Sequence, residues 1–128
     1  MRTLPTRITE RRRVREGYER HLGAVPGVSF QHDPPECQPN HWLTTVRLAR
    51  DEFGATPAEV LAALRAEGIE ARHGFKPMHQ QPVFAENPVV GGAVADDLFA
   101  TTVSLPSGSR LTDQQVEWIS GVIASASR

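Results

Sequence analysis

The chain has 128 residues, room for one domain of ordinary size and too few for two. Its 39% hydrophobic content, 23% charged content and net charge of −1 exclude a disordered polyelectrolyte. They also give no overall field that would draw in nucleic acid or an anionic membrane. No apolar run reaches membrane-span length, and the N-terminus has no signal-peptide apolar core, so the expectation is a soluble, cytoplasmic protein.

Thirteen of the 14 basic residues are Arg, and Lys76 is the only lysine. That matters because lysine is the side chain that forms a Schiff base with a carbonyl cofactor. Cys37 is the only cysteine, so no intrachain disulfide can form and a reducing compartment is expected.

In chain order, Thr9 is placed to cap a first helix running to about Leu22, with Val14, Tyr18, Leu22 and Val25 on one apolar stripe. Arg11, Arg12, Arg13 and Arg15 lie mostly off that stripe and read as a solvated face, offset by Glu10, Glu16 and Glu19. Pro26-Gly27 ends the helix. Val28 and Phe30 alternate with polar neighbours as a short strand. His32 to Asn40, with three prolines, reads as a loop. Trp42 to Leu48 reads as a strand with Trp42, Thr44, Val46 and Leu48 on one face and Leu43, Thr45 and Arg47 on the other.

Thr56-Pro57-Ala58-Glu59 is a capping box with proline at the first helical position. Val60, Leu61 and Leu64 form the buried stripe, Gly68 suits a C-terminal cap, and Ile69 and Ala71 read as a short strand completing a strand–helix–strand crossover. Gly74 to Gly92 shows no period, and a loop of that length in a compact domain points to function. Val94 to Phe99 reads as a short helix and Thr102 to Leu105 as a strand. Thr112 to Gln115 forms a second capping box before a terminal helix with Val116, Ile119, Ile123 and Ala126 inward. The order α-β-β-α-β-loop-α-β-α predicts an α/β (α+β) two-layer sandwich with a small mixed or antiparallel sheet, a single domain over residues 1–128.

Several chemistries find little support. His41, His73, His79 and Cys37 are suitable metal ligands, but their spacing matches no compact ligand pair, so no metal site is expected. Cys37 lies near His32 and His41 in sequence, without a sign of thiol activation. No phosphate-loop or dinucleotide glycine pattern occurs; Gly91-Gly92 before a short helix could offer amides to an anion, or serve simply as a turn. The richest segment is Arg72 to Pro82, with a guanidinium, an ammonium, two imidazoles and two carboxamides in eleven residues. It suits a polar, anionic small molecule, with Phe75 and Met78 as apolar contacts; the alternative is a solvated connection whose Phe and Met plug the core.

Five phrases now acquire a joint meaning: Asn40-His-Trp-Leu-Thr-Thr-Val46, Asp51-Glu-Phe-Gly54, Gly68-Ile-Glu-Ala-Arg72, Lys76-Pro-Met-His79 with Gln81-Pro-Val-Phe84, and Leu105-Pro-Ser-Gly-Ser-Arg-Leu-Thr-Asp113. In this order, over most of residues 9 to 127, the chain resembles the C-terminal small domain of the DegT/DnrJ-type sugar aminotransferases. It is most similar to those that aminate C4 of a nucleotide-linked 4-keto-6-deoxy-N-acetylhexosamine. The resemblance implies fold-type-I enzymes dependent on pyridoxal phosphate (PLP), homodimers with interface active sites, whose large domain precedes this one and carries the Schiff-base lysine. It places Lys76 and His79 in the loop that approaches the nucleotide sugar, Arg72 at the end of the strand leading to it, and Asn40 and Trp42 at the start of the adjacent strand. His73-Gly74 and Gln80 depart from the family's pattern.

The resemblance further implies that Met1 falls where the connecting helix begins, that the large domain is missing, and that Lys76 belongs to the substrate loop. No catalytic residue, cofactor site or metal site is then expected in this chain, which would not transaminate alone. The alternative is a free-standing module that keeps the fold and binds a nucleotide, sugar or protein through the same loop. An apolar patch around Trp42, Phe75 or Phe84 would favour the first reading, and a fully polar surface the second.

Overall fold

A computed structural model of the chain describes residues 3–127. Helix α1 runs Leu4–Leu22, followed by strands β1 (Val28–Phe30) and β2 (Thr44–Leu48), a single-turn helix α2 (Arg50–Phe53) and helix α3 (Pro57–Ala66). Strand β3 (Arg72–His73) leads into two 3₁₀ turns at Met78–Gln80 and Pro82–Phe84. Helix α4 (Ala93–Thr101), strand β4 (Thr102–Leu105) and helix α5 (Asp113–Ser125) close the chain.

The sheet order is β1-β2-β4-β3, and every neighbouring pair is antiparallel. The predicted crossover is present in a split form. β2 and β3 are both antiparallel to β4, hence parallel to each other, and β4 lies between them. Val46 pairs with Phe30 on one side and Val103 on the other, and Arg72 sits opposite Ser104.

Alternation along β2 decides which face is core. Thr44, Val46 and Leu48 are buried, while Arg47 is exposed. Onto the buried face pack Val14, Tyr18 and Leu22 of α1, Val60 and Leu64 of α3, and Val116, Ile119 and Ile123 of α5. This is the stripe pattern read from the sequence, now joined into one cluster. The Tyr18 hydroxyl donates to the Pro106 carbonyl at 2.9 Å, and burial pushes its phenol well above the usual tyrosine range. Both capping boxes form: Thr56 with Glu59, and Thr112 with Gln115.

Four local readings are corrected. Helix α1 begins at Leu4, before Thr9, whose hydroxyl donates to the Pro5 carbonyl within the helix. Pro5 is tolerated in the first turn because its missing N–H would have had no partner there. Strand β2 begins at Thr44: the Asn40 carboxamide oxygen accepts the Trp42 N–H at 3.0 Å, His41 takes φ 46°, and this turn leaves Trp42 outside the sheet. The third strand begins at Arg72. Gly68 (φ 72°) caps α3 while the Ile69 N–H bonds the Leu64 carbonyl, so Ile69 is occupied in the cap rather than a ladder. The fourth is α2, unread in the sequence, which ends at Gly54 in the left-handed region (φ 80°).

Gly27 ties these parts together. Its φ is 74°, its carbonyl accepts the Ala49 N–H at 2.7 Å, and a Cβ there would lie 2.4 Å from the Phe53 nitrogen. Gly27→Ala is therefore expected to lower unfolding free energy by about 2–4 kcal/mol in urea titrations. Thr56→Ala, which removes one cap, is expected to cost about 1 kcal/mol in the same assay.

Candidate functional site

The arginine run of α1 is solvated only in part: Arg11, Arg12 and Arg13 are half-exposed and Arg15 is buried. Arg15 is 5% exposed; it donates to the Gln31 carbonyl at 2.9 Å, pairs with Glu19 at 2.9 Å and lies 4.5 Å from the centroid of the Phe30 ring. Arg12 donates to the Pro39 carbonyl and Arg11 to the Trp42 carbonyl, both at 3.3 Å. Arg13 binds Asp113 and the Leu111 carbonyl. A guanidinium has several donors in a fixed fork, so Arg13 and Arg15 can each hold a backbone carbonyl and a carboxylate at once, and Arg11 and Arg12 a backbone carbonyl. Together Arg11, Arg12 and Arg15 moor the proline-rich segment 31–42 against α1, which sets the position of Asn40 and Trp42.

The opposite wall of the site comes from the segment after β3. Gly74 passes over Thr102 so closely that a Cβ would lie 2.2 Å from its hydroxyl oxygen, which accounts for glycine at this position. Met78–Gln80 turns back toward α4. There the Asp96 Oδ1 is 2.6 Å from both His79 Nε2 and Gln80 Nε2. Gln80 thus has a specific partner, which an apolar residue could not supply. Gly92 (φ 108°) begins α4, and the His79 ring lies where a Cβ would sit, 3.0 Å from Cε1.

The structure unites some of the predicted residues and separates others. Trp42, Arg72 and Phe75 line one cleft of about 330 Å³ between the approach to β2 and the β3 edge. Arg72 is paired across that edge with Glu70 at 2.7 Å. His79 lines a separate depression of about 280 Å³ with Met78, Phe84 and Val89. Lys76 stands exposed between them, and its ammonium makes no ion pair with another described residue. Asn40 turns its carboxamide oxygen to its own backbone and acts as a shaping residue.

A larger cavity of about 600 Å³ lies on the sheet face away from the core, under α4. Phe30, Thr45, Arg47, Phe75, Leu98 and Phe99 are among its lining residues. Arg47 pairs there with Asp97 at 2.8 Å. The sequence places Thr45 and Arg47 on the face opposite Thr44, Val46 and Leu48 without telling which face is buried. The signal available was the alternation of β2; what α4 would lay over it was not encoded locally. Asp96 was missed for the same reason.

The surface carries a broad apolar strip. Trp42 is 60% exposed and Phe75 77% exposed, joined by Met78, Val83, Val89, Val90, Val94 and Leu98, while Phe84 is half-buried. Monomeric soluble proteins seldom leave so many large apolar side chains on one set of elements uncovered. Among the described residues no three His, Cys, Asp or Glu side chains converge as a metal site, and no helix is long and apolar enough to cross a membrane.

A four-stranded antiparallel sheet with three helices on one face and this polar loop after β3 matches part of the aminotransferase fold. The chain belongs to the DegT/DnrJ/EryC1/StrS aminotransferase family, whose model matches residues 1–124. It is 36% identical over 118 residues to EpsN of Bacillus subtilis (strain 168), whose name assigns it to the pyridoxal phosphate-dependent aminotransferases; the match covers 88% of this chain and 29% of EpsN. It is 29% identical over 111 residues to the GDP-perosamine synthase of Caulobacter vibrioides (strain ATCC 19089 / CIP 103742 / CB 15), covering 86% of this chain and 30% of that protein. Among solved structures it is similar to DesI in the presence of its TDP-sugar product, with a TM-score of 0.90, 25% identity, and coverage of 98% of this chain and 33% of DesI. Helicobacter pylori PseC, an aminotransferase involved in pseudoaminic acid biosynthesis, shares the fold at a TM-score of 0.85 and 19% identity, covering 98% of this chain and 34% of PseC. The chain thus spans about a third of the length of the proteins it matches.

If the strip is a surface and not core, polar substitution there should be nearly neutral for folding. Trp42→Ser and Phe75→Ser are each expected to change unfolding free energy by no more than about 0.5 kcal/mol. Both are expected to lower the fluorescence of the apolar dye ANS bound to the native chain.

Proposed function

We propose that this chain is the substrate-side, C-terminal small domain of a PLP-dependent aminotransferase acting on a nucleotide-linked 4-keto sugar, and that it forms a single folding unit over residues 1–128. The observation that carries the reading is the end-to-end family match by a chain one-third the length of its relatives, with a broad apolar strip left exposed. The strip is what a domain leaves open where a larger body docks, and it weighs against a self-sufficient binding module. A homodimeric complete enzyme in the cytoplasm is part of this proposal.

PLP does not fit the residues of this chain. The cofactor's chemistry needs a lysine, an acidic partner for the pyridinium nitrogen and a cradle for the phosphate, brought together in an enclosed slot. The one lysine, Lys76, stands on an exposed loop with no carboxylate paired to it among the described residues. No step of transamination is therefore assigned here. The roles that remain are binding and enclosure. Arg72 and Lys76 supply positive charge suited to a diphosphate. Trp42 and Phe75 supply flat apolar surface beside Arg72 in the same cleft. His79, held at Asp96, supplies a fixed polar group.

Mixing the chain with PLP is expected to give no internal-aldimine absorbance band; a stable band that disappears in Lys76→Ala would overturn the assignment of Lys76 to the substrate loop. Titration with UDP-N-acetylglucosamine is expected to shift amide resonances of residues 72–84. No shift at millimolar ligand would remove the nucleotide-sugar role from this loop.

A further inference from the structure

We propose that Asp96 is the positioning residue of the loop: it holds His79 as the Nε2–H tautomer, so that His79 meets its ligand through Nδ1 as a hydrogen-bond acceptor and recognises a hydroxyl. The identity of the ligand rests on the nucleotide-sugar reading above; the role of Asp96 does not.

The protonation pattern follows from the shared oxygen. Asp96 Oδ1 is 2.6 Å from His79 Nε2 and 2.6 Å from Gln80 Nε2. An ionised carboxylate can only accept, so at this distance His79 Nε2 carries the proton, and the Gln80 amide donates to the same oxygen. A neutral imidazole has one such proton, which leaves a lone pair on Nδ1. Nδ1 has no hydrogen-bond partner among the described residues.

The ring is also boxed in. Its Cε1 edge rests against Gly92, where even a methyl group would approach to 3.0 Å, and φ of 108° keeps that position for glycine. Asp96 itself is anchored in α4, with its N–H on the Gly92 carbonyl at 2.9 Å. The His79 side chain is 23% exposed and lines the depression with Met78, Phe84 and Val89. Mostly apolar walls, with the His79 ring and the Asn87 side chain as the polar groups, suit the C–H surface and a hydroxyl of a sugar ring. This divides the labour in the loop. Lys76, three residues earlier, has an ammonium with no ion pair among the described residues and suits an anion; the neutral His79 ring, with its Nε2 proton committed to Asp96, offers Nδ1 only as an acceptor.

Long-range ¹H–¹⁵N NMR of the imidazole at mildly alkaline pH tests the assignment without any ligand. The wild-type chain is expected to show the Nε2–H tautomer at His79, and Asp96→Ala a mixture of both tautomers. An Nδ1–H tautomer in the wild type would overturn the proposal. Binding of UDP-N-acetylglucosamine supplies the second arm. Asp96→Ala is expected to weaken it about five- to tenfold, the factor a single hydrogen bond supplies. In a His79→Ala background the same change is expected to have no further effect, because Asp96 acts through His79. An equal loss in both backgrounds would instead show a general loop effect and sink the claim. Asp96→Asn, which keeps an accepting Oδ1 in case the alanine variant does not fold, is expected to retain the tautomer and bind within about twofold of wild type. If the wild-type chain shows no binding of this probe, the nucleotide-sugar reading fails, and the tautomer measurement alone decides the role of Asp96.

Discussion

Strand β4 pairs on both sides, with β2 through Thr44↔Leu105 to Arg47↔Thr102 and with β3 through Arg72↔Ser104. Without it, β2 and β3 would have no connection, since neither touches the other in the sheet. The pairing sets more than the core. α4 ends at Thr101 and β4 begins at Thr102, so no linker separates them. Once the register of β4 is fixed, α4 has little freedom in where it lies over the outer face of the sheet.

From that placement the rest of the site follows. α4 carries Asp97 to Arg47 of β2, and Asp96 to the loop after β3. Two neighbouring carboxylates thus bridge the same helix to two different parts of the chain. The long segment between β3 and α4 has little regular structure of its own, two short 3₁₀ turns apart. It is held by backbone closeness at Gly74 and by the His79–Asp96–Gln80 junction. On the other side, the arginines of α1 do the same for the proline-rich segment before β2. The Trp42–Arg72–Phe75 cleft is therefore built from strand residues of β3 and β4 and from irregular chain at Trp42 and Phe75 that side chains and close packing tie to regular elements.

What the sequence revealed, and what it withheld, divides along this line. The stripes of α1, α3 and α5, both capping boxes and the alternation of β2 are local patterns, and they read through to the core. The fold class and the separation of Arg47 from Thr44, Val46 and Leu48 on opposite faces of β2 were legible for that reason. The resemblance located the Arg72–Lys76–His79 loop, which periodicity alone left featureless. Strand boundaries failed where a side chain competed with the ladder, as at Asn40, or where a glycine cap used the next amide, as at Gly68. The arginine run misled because a guanidinium facing water and one holding a distant carbonyl look alike in one dimension. Asp96 could not be read at all, since its partners lie 16 and 17 residues earlier and meet it only after α4 has docked.

The position of the middle strand near the end of the chain also has a temporal side. During synthesis β2 emerges long before residues 102–105, and α5, which closes the core over α1 and α3, is last. Until then β1 and β2 can form only a hairpin, and an isolated hairpin is marginal in water. The exposed edge of β2, with Thr44, Val46 and Leu48 uncovered, is open to pairing with another nascent chain. Closure of the sheet accordingly waits until residues 102–105 have followed β2 out of the ribosome.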